Sequence, residues 1–146
     1  MARLFGHPMH PATAHAPIGL WIGAVAADLG AWADPGGPWA DAATWALGLG
    51  LAFGALAGVT GFLDFVAMPR GDTDAERIAM RHLTVMTGAL GLMAISLALR
   101  LADAGDILAR LVAIAGVGAV VIGGWLGAEL VFGHGAGARE RLSRNP

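Results

Sequence analysis

The sequence predicts an all-α protein: an integral-membrane bundle of four helices running up and down. Three observations predict it. The chain of 146 residues is 56% hydrophobic and only 14% charged, with a mean hydropathy of +0.64; a soluble domain carries about 25% charged residues. Four continuous apolar runs each hold roughly the 17–25 residues that cross a bilayer. Short connections separate them, and short connections make consecutive helices antiparallel neighbours. Because the runs are continuous rather than alternating, β-barrel strands are not expected.

Helix one is expected from Ala16 to about Ala33, with Pro17 in its first turn, where a missing N–H costs nothing. The cluster Asp34-Pro35-Gly36-Gly37-Pro38 ends it. Helix two is expected from about Asp41 to Met68, closed by Pro69-Arg70-Gly71. Helix three is expected from about Asp74 to Ala102, opened by a capping box at Thr73-Asp74-Ala75-Glu76. Ala104-Gly105 turns the chain into helix four, from about Asp106 to Phe132, with Asp106 as N-cap. The whole chain, 1–146, reads as one domain with no long repeat. The first apolar run lies behind a segment rich in His and Pro rather than directly behind a basic start. It therefore reads as an uncleaved membrane helix, not a secretory signal.

Composition excludes several functions. Cysteine is absent, so disulfides, thiolate iron–sulfur ligation and thiol catalysis are ruled out. The net charge of -2 gives no reason to expect nucleic acid. All nine basic residues are arginines. Arg3, Arg70, Arg77, Arg81, Arg139, Arg141 and Arg144 fall on one side of the threading, and only Arg100 and Arg110 on the other. The positive-inside rule then puts both termini in the cytoplasm. Trp32, Trp39 and Trp45 fall near the opposite face, as an interfacial aromatic belt does.

The same threading brings His7, His10, His15, His82 and His134 to the arginine-rich end. Imidazoles from different helices at one end of a bundle point to haem b. His82 is the leading ligand: it lies about 12 Å along helix three at about 1.5 Å per residue, where an ionisable group is a functional candidate by default. His15 or His10 is its partner, with His134 in reserve. Arg70, Arg77 and Arg81 are placed to meet haem propionates. Alternatively, His7-x-x-His10 with His15 offers three imidazoles for zinc or copper, His82 joining the candidate metal ligands. At the other end, Asp28 and Arg100 lie at similar depth and are expected to pair. Glu129 is a candidate to orient an imidazole, and Asp64 is open to the same two readings, functional or interfacial. Glycine stripes at Gly50, Gly54 and Gly58, and at Gly123 and Gly127, allow close helix approach, within the chain or in a homodimer.

The motifs His7-Pro8-x-His10-Pro11, Ala16-Pro17-Ile18-Gly19-Leu20-Trp21 with Asp28, Gly61-x-x-Asp64, Arg81-His82 and Gly123-Gly124-Trp125-Leu126-Gly127-x-Glu129-Leu130-Val131-x-x-His134-Gly135 resemble those of a bacterial membrane family catalogued as domain of unknown function 2231. The resemblance covers nearly the whole chain. It departs at Ala16, where an aromatic is common, and at Phe132-Gly133, where the family often has Tyr and a basic residue. It implies a four-helix membrane protein without an established activity. Some relatives are fused to Rieske-type domains, which implies electron transfer and favours haem over zinc. The reading that results is a haem b electron carrier working between a membrane quinone and a redox partner. Two alternatives stay open: an accessory or assembly subunit of a larger membrane complex, and a metal-binding or transport protein.

Overall fold

The computed structural model describes residues 3–4 and 7–136, with side chains from Met9 onward. Four helices carry the fold: α1 (Met9–Ala33), α2 (Trp39–Val66), α3 (Thr73–Leu101) and α4 (Asp106–Ala128). A π-helical turn, Glu129–Gly133, continues α4. Counting that turn with α4, all four are long and apolar enough to cross a membrane. Ahead of α1, Arg3–Leu4 pairs with His7–Pro8 in a minimal antiparallel ladder.

Helix α1 begins at Met9, well before Ala16, so His10 and His15 are helical. Pro11 sits in the first turn, where its lacking N–H has no intrahelical partner to lose. Pro17 is instead buried inside the helix. The N-cap of α3 is Asp72, whose Oδ1 accepts the Ala75 N–H at 3.0 Å. Glu76 reaches back to accept the Gly71 N–H, so the capping interaction is set one residue earlier than the Thr73-x-x-Glu76 box. Asp106 is the first residue of α4 rather than its cap; Gly105 precedes it at φ 109, a conformation that favours glycine.

The packing is that of two hairpins. Helix α1 lies closely along α2, and α3 along α4, while the pairs meet less extensively. The interior is small: alanine and glycine dominate it, and Trp21, Leu47, Met93 and Ser96 are the largest fully buried side chains. Large apolar residues such as Trp45, Val121, Trp125 and Phe132 point outward. Large side chains outside and small ones inside suit a bundle whose solvent is lipid, because small residues let helix backbones approach.

The two hairpins repeat each other. Pro17, Trp21 and Ala24, buried on α1, match Ala89, Met93 and Ser96, buried on α3. Asp28 matches Arg100 at the same spacing of 72 residues. On α2, buried Ala43, Leu47, Gly50, Gly54 and Ala57 match Ala109, Ala113, Gly116, Val120 and Gly123 on α4, again at one spacing. The contacts repeat too: Trp21 fills the space over Gly50, and Met93 the space over Gly116. This is a long repeat after all, carried by register more than by residue identity.

The glycine stripes serve this packing. Gly50 and Gly54 seat Trp21, Gly123 seats Met86 and Gly127 seats His82. Gly58, the third residue of the stripe on α2, meets nothing within 4 Å.

Candidate functional site

At the end of the bundle where α1 begins, the two hairpins part around a cleft of about 1890 Å³. His10, His15, His82 and His134 all line it. The side chain of His7 lies outside the described residues.

His10 and His82 occupy equivalent positions in the repeat, one on α1 and one on α3. The Nδ1 of His10 donates to the Ala57 carbonyl on α2 at 2.9 Å. The Nδ1 of His82 donates to the Gly123 carbonyl on α4 at 2.8 Å. Ala57 and Gly123 are themselves equivalent. Each hairpin thus holds one imidazole by a carbonyl of its own second helix, and each ring keeps its Nε2 lone pair for something else. The two ring centres are 6.3 Å apart with planes at 81°. Glycines make the seats: a Cβ at Gly61 would meet the His10 ring at 2.8 Å, and one at Gly127 the His82 ring at 3.2 Å. Gly58 and Gly124, also equivalent, line the cleft with no side chain to fill it.

The remaining histidines have other engagements. His15 is exposed on α1, and its Nδ1 donates to the Pro11 carbonyl at 2.7 Å. His134 donates to Asp72 Oδ2 at 3.2 Å, tying the π-helical turn to the start of α3. The Ala75 N–H, and then His134, hold the Asp72 carboxyl below the usual carboxylate range. A lowered carboxyl contributes stability above its unfolded value and loses it as pH falls through the folded one, so this contribution fades only at strongly acid pH. Asp72→Ala is expected to fray the first turn of α3 and lower the thermal midpoint, read by circular dichroism in detergent. Asp72→Asn caps about as well as Asp and loses only the pair with His134. An unchanged midpoint in Asp72→Ala contradicts the capping role.

The arginines expected to meet propionates lie at this end of the bundle but not in the cleft. Arg70 stands 3.6 Å from Glu76 and over the Phe65 ring. Arg77 pairs with Asp74 at 3.1 Å, and Arg81 is exposed. Glu129 is exposed and packs on Gly133; backbone carbonyls, not this carboxylate, orient the imidazoles. Asp64 lines the cleft. Among the described residues no three His, Cys, Asp or Glu side chains gather as a metal-binding group; the His7 side chain, one of the expected His7, His10 and His15 triad, lies outside the described residues.

At the opposite end, the expected Asp28–Arg100 pair forms. Arg100 grips Asp28 with two bonds of 2.9 and 2.6 Å, the side chains being 9% and 4% exposed. Arg110 stands 3.7 Å from the same carboxylate and over the Trp32 ring. The hairpins are therefore fastened at this end and parted at the histidine end.

Sequence spacing pointed to the histidines but missed Ala57, Gly123, Gly61 and Gly127. The signal was present: the stretches Ala57-x-x-x-Gly61 and Gly123-x-x-x-Gly127 fall at matching positions in the two hairpins.

A family model described as "Predicted membrane protein (DUF2231)" matches residues 6–140. No curated protein and no solved structure matches the chain.

Proposed function

The chain belongs to this family of predicted membrane proteins, DUF2231, and we propose that it binds haem b between His10 and His82 and carries single electrons in the membrane. The observation that carries this reading is the imidazole pair. The two rings stand 6.3 Å apart with planes at 81°, each anchored at Nδ1 by a carbonyl of its own hairpin; they would be the residues to hold the iron of a haem.

The surroundings fit a flat, apolar cofactor. Gly58 and Gly124 leave the walls bare, and the cleft is lined mainly by apolar side chains such as Ile18, Phe62, Leu83 and Leu90. When bound, the haem supplies a one-electron couple. The chain supplies the rest. Carbonyl bonds to both Nδ1 atoms fix the tautomers, and the apolar lining limits water. Because Arg70 and Arg77 are engaged with Glu76 and Asp74, a propionate role for them is not carried forward. A pair of imidazoles would suit iron in a ring better than a closed zinc or copper site, which takes four ligands.

On arginine counting, the histidine end faces the cytoplasm, in a bacterial inner membrane. The electron partners on this reading are a quinone in the bilayer and a redox protein, such as a Rieske-type protein, at that face.

Protein produced with ample haem and purified in detergent is expected to show a Soret band that shifts on reduction. His10→Ala and His82→Ala should each abolish it, while His15→Ala and His134→Ala should keep it. Absence of the band in the unaltered protein overturns the reading.

A further inference from the structure

The two hairpins stop repeating each other at the end of the cleft. At the spacing that relates α4 to α2, the π-helical turn Glu129–Gly133 falls on residues 63–67, where α2 stays regular to Val66 and then ends. His134 falls on Met68, an apolar residue. The repeated packing therefore requires neither the π turn nor His134. Such turns are rare and are frequent at functional sites.

This departure lies at the rim of the cleft. Residues 130–132 and 134–136 line it, as do Met68, Pro69 and Asp72 on the connection from α2 to α3. Asp72 comes ten residues before His82, so the paired imidazoles lie about 15 Å below this rim at about 1.5 Å per residue. The segment is closed on itself by its own backbone. The His134 N–H donates to the Glu129 carbonyl and the Ala136 N–H to the Leu130 carbonyl, with Gly135 at φ 65 between them. Among the described residues one side-chain bond ties it to α3: His134 Nδ1 donates to Asp72 Oδ2 at 3.2 Å. A unit closed on itself and tied by one side-chain bond can lift without unfolding α4.

We propose that residues 129–136 form a strap at the mouth of the cleft, latched to α3 by the His134–Asp72 bond, and that lifting it admits a ligand from the aqueous side. Haem is such a ligand on the reading above, but the strap bounds the cleft whatever the cleft takes, and its test needs no cofactor.

The chain has no cysteine, so one introduced thiol reports access cleanly. Ala79→Cys places it inside the cleft, between the rim and His82; Ala79 is 7% exposed and lines the cleft. Ala102→Cys places a control thiol on an exposed residue at the far end of α3. Each full-length variant, cofactor-free in nanodiscs, is treated with a charged methanethiosulfonate, which lipid excludes. The thiol at position 79 is expected to react at least tenfold more slowly than the control. Adding His134→Ala, or Asp72→Asn, which keeps the cap but turns a donor toward a donor, should speed the reaction at 79 at least tenfold. Neither should change the rate at 102. Equal rates at 79 and 102 in the latched protein, or no acceleration at 79 when the latch is removed, overturn the proposal. Acceleration at both positions also overturns it, because the substitutions then loosen the whole bundle. A missing Soret band with a working latch removes the haem reading alone; a normal band with an unchanged rate at 79 removes the strap alone.

Discussion

Asp28→Ala is expected to cost about 3–5 kcal/mol of stability, the loss that follows when one partner of a buried ion pair is removed. The cost lies less in the missing attraction than in what stays behind. Arg100 is 9% exposed and spends two guanidinium nitrogens on Asp28. Its Nε is buried without a hydrogen-bond partner already. Without the carboxylate, Arg100 and Arg110 face each other as two confined positive charges. The thermal midpoint in detergent, followed by circular dichroism, should fall sharply. Asp28→Leu combined with Arg100→Met should be milder than Asp28→Ala, because no orphaned charge remains in the pair and Arg110 keeps Asp106 at 3.9 Å and the Trp32 ring. Exchanging the charges, Asp28→Arg with Arg100→Asp, should recover only part of the loss: it sets the new arginine beside Arg110, now 3.7 Å from the carboxylate. A midpoint for Asp28→Ala equal to that of the unaltered protein would falsify the clamp.

The clamp was legible in the sequence because burial of a charge in an apolar run is costly enough to demand a partner, and the threading offered one. The four spans were legible for a similar reason: run length and Pro/Gly clusters leave little choice. The start of α1 was not, because a Pro-rich segment reads as a loop while Pro11 in a first turn breaks no hydrogen bond. That error had a consequence for the site. With His10 outside the helix, His15 seemed as good a partner for His82. Placed on α1, His10 becomes the exact counterpart of His82 within the repeat. The repeat itself escaped notice because its conserved quantity is where small residues fall. Trp21 and Met93 differ in kind but fill the same space over Gly50 and Gly116. The local partners of the arginines were less legible: Arg70 stands 3.6 Å from Glu76, six residues on, and Arg77 pairs with Asp74, three residues back.

On the haem reading proposed above, Gly61→Ala is expected to lower haem affinity at least tenfold while leaving the fold intact, in line with the 10–100-fold cost of disturbing the groups that orient a metal ligand. The added methyl would stand 2.8 Å from both Cε1 and Nδ1 of His10, too close for either to stay. The ring is the part free to move, and moving it breaks the 2.9 Å bond to the Ala57 carbonyl. Alanine favours a helix over glycine by about 1 kcal/mol, so the variant should unfold no earlier than the parent even as its Soret band weakens. Gly127→Ala is the same experiment on the other hairpin with a softer contact, 3.2 Å to His82 Cε1 and 3.4 Å to Nδ1, and should lose only a few-fold. Gly19→Ala, which meets nothing within 4 Å, should leave the band unchanged. Haem titration of the three purified variants gives the order. If Gly61→Ala binds as well as Gly19→Ala, the His10 ring is not held by its seat, and the pairing of two carbonyl-anchored imidazoles loses its physical basis. If all three fall together, the substitutions act through general helix packing rather than through the histidines. Only the graded series, following the contact distances, requires that each glycine exist to let an imidazole reach its carbonyl.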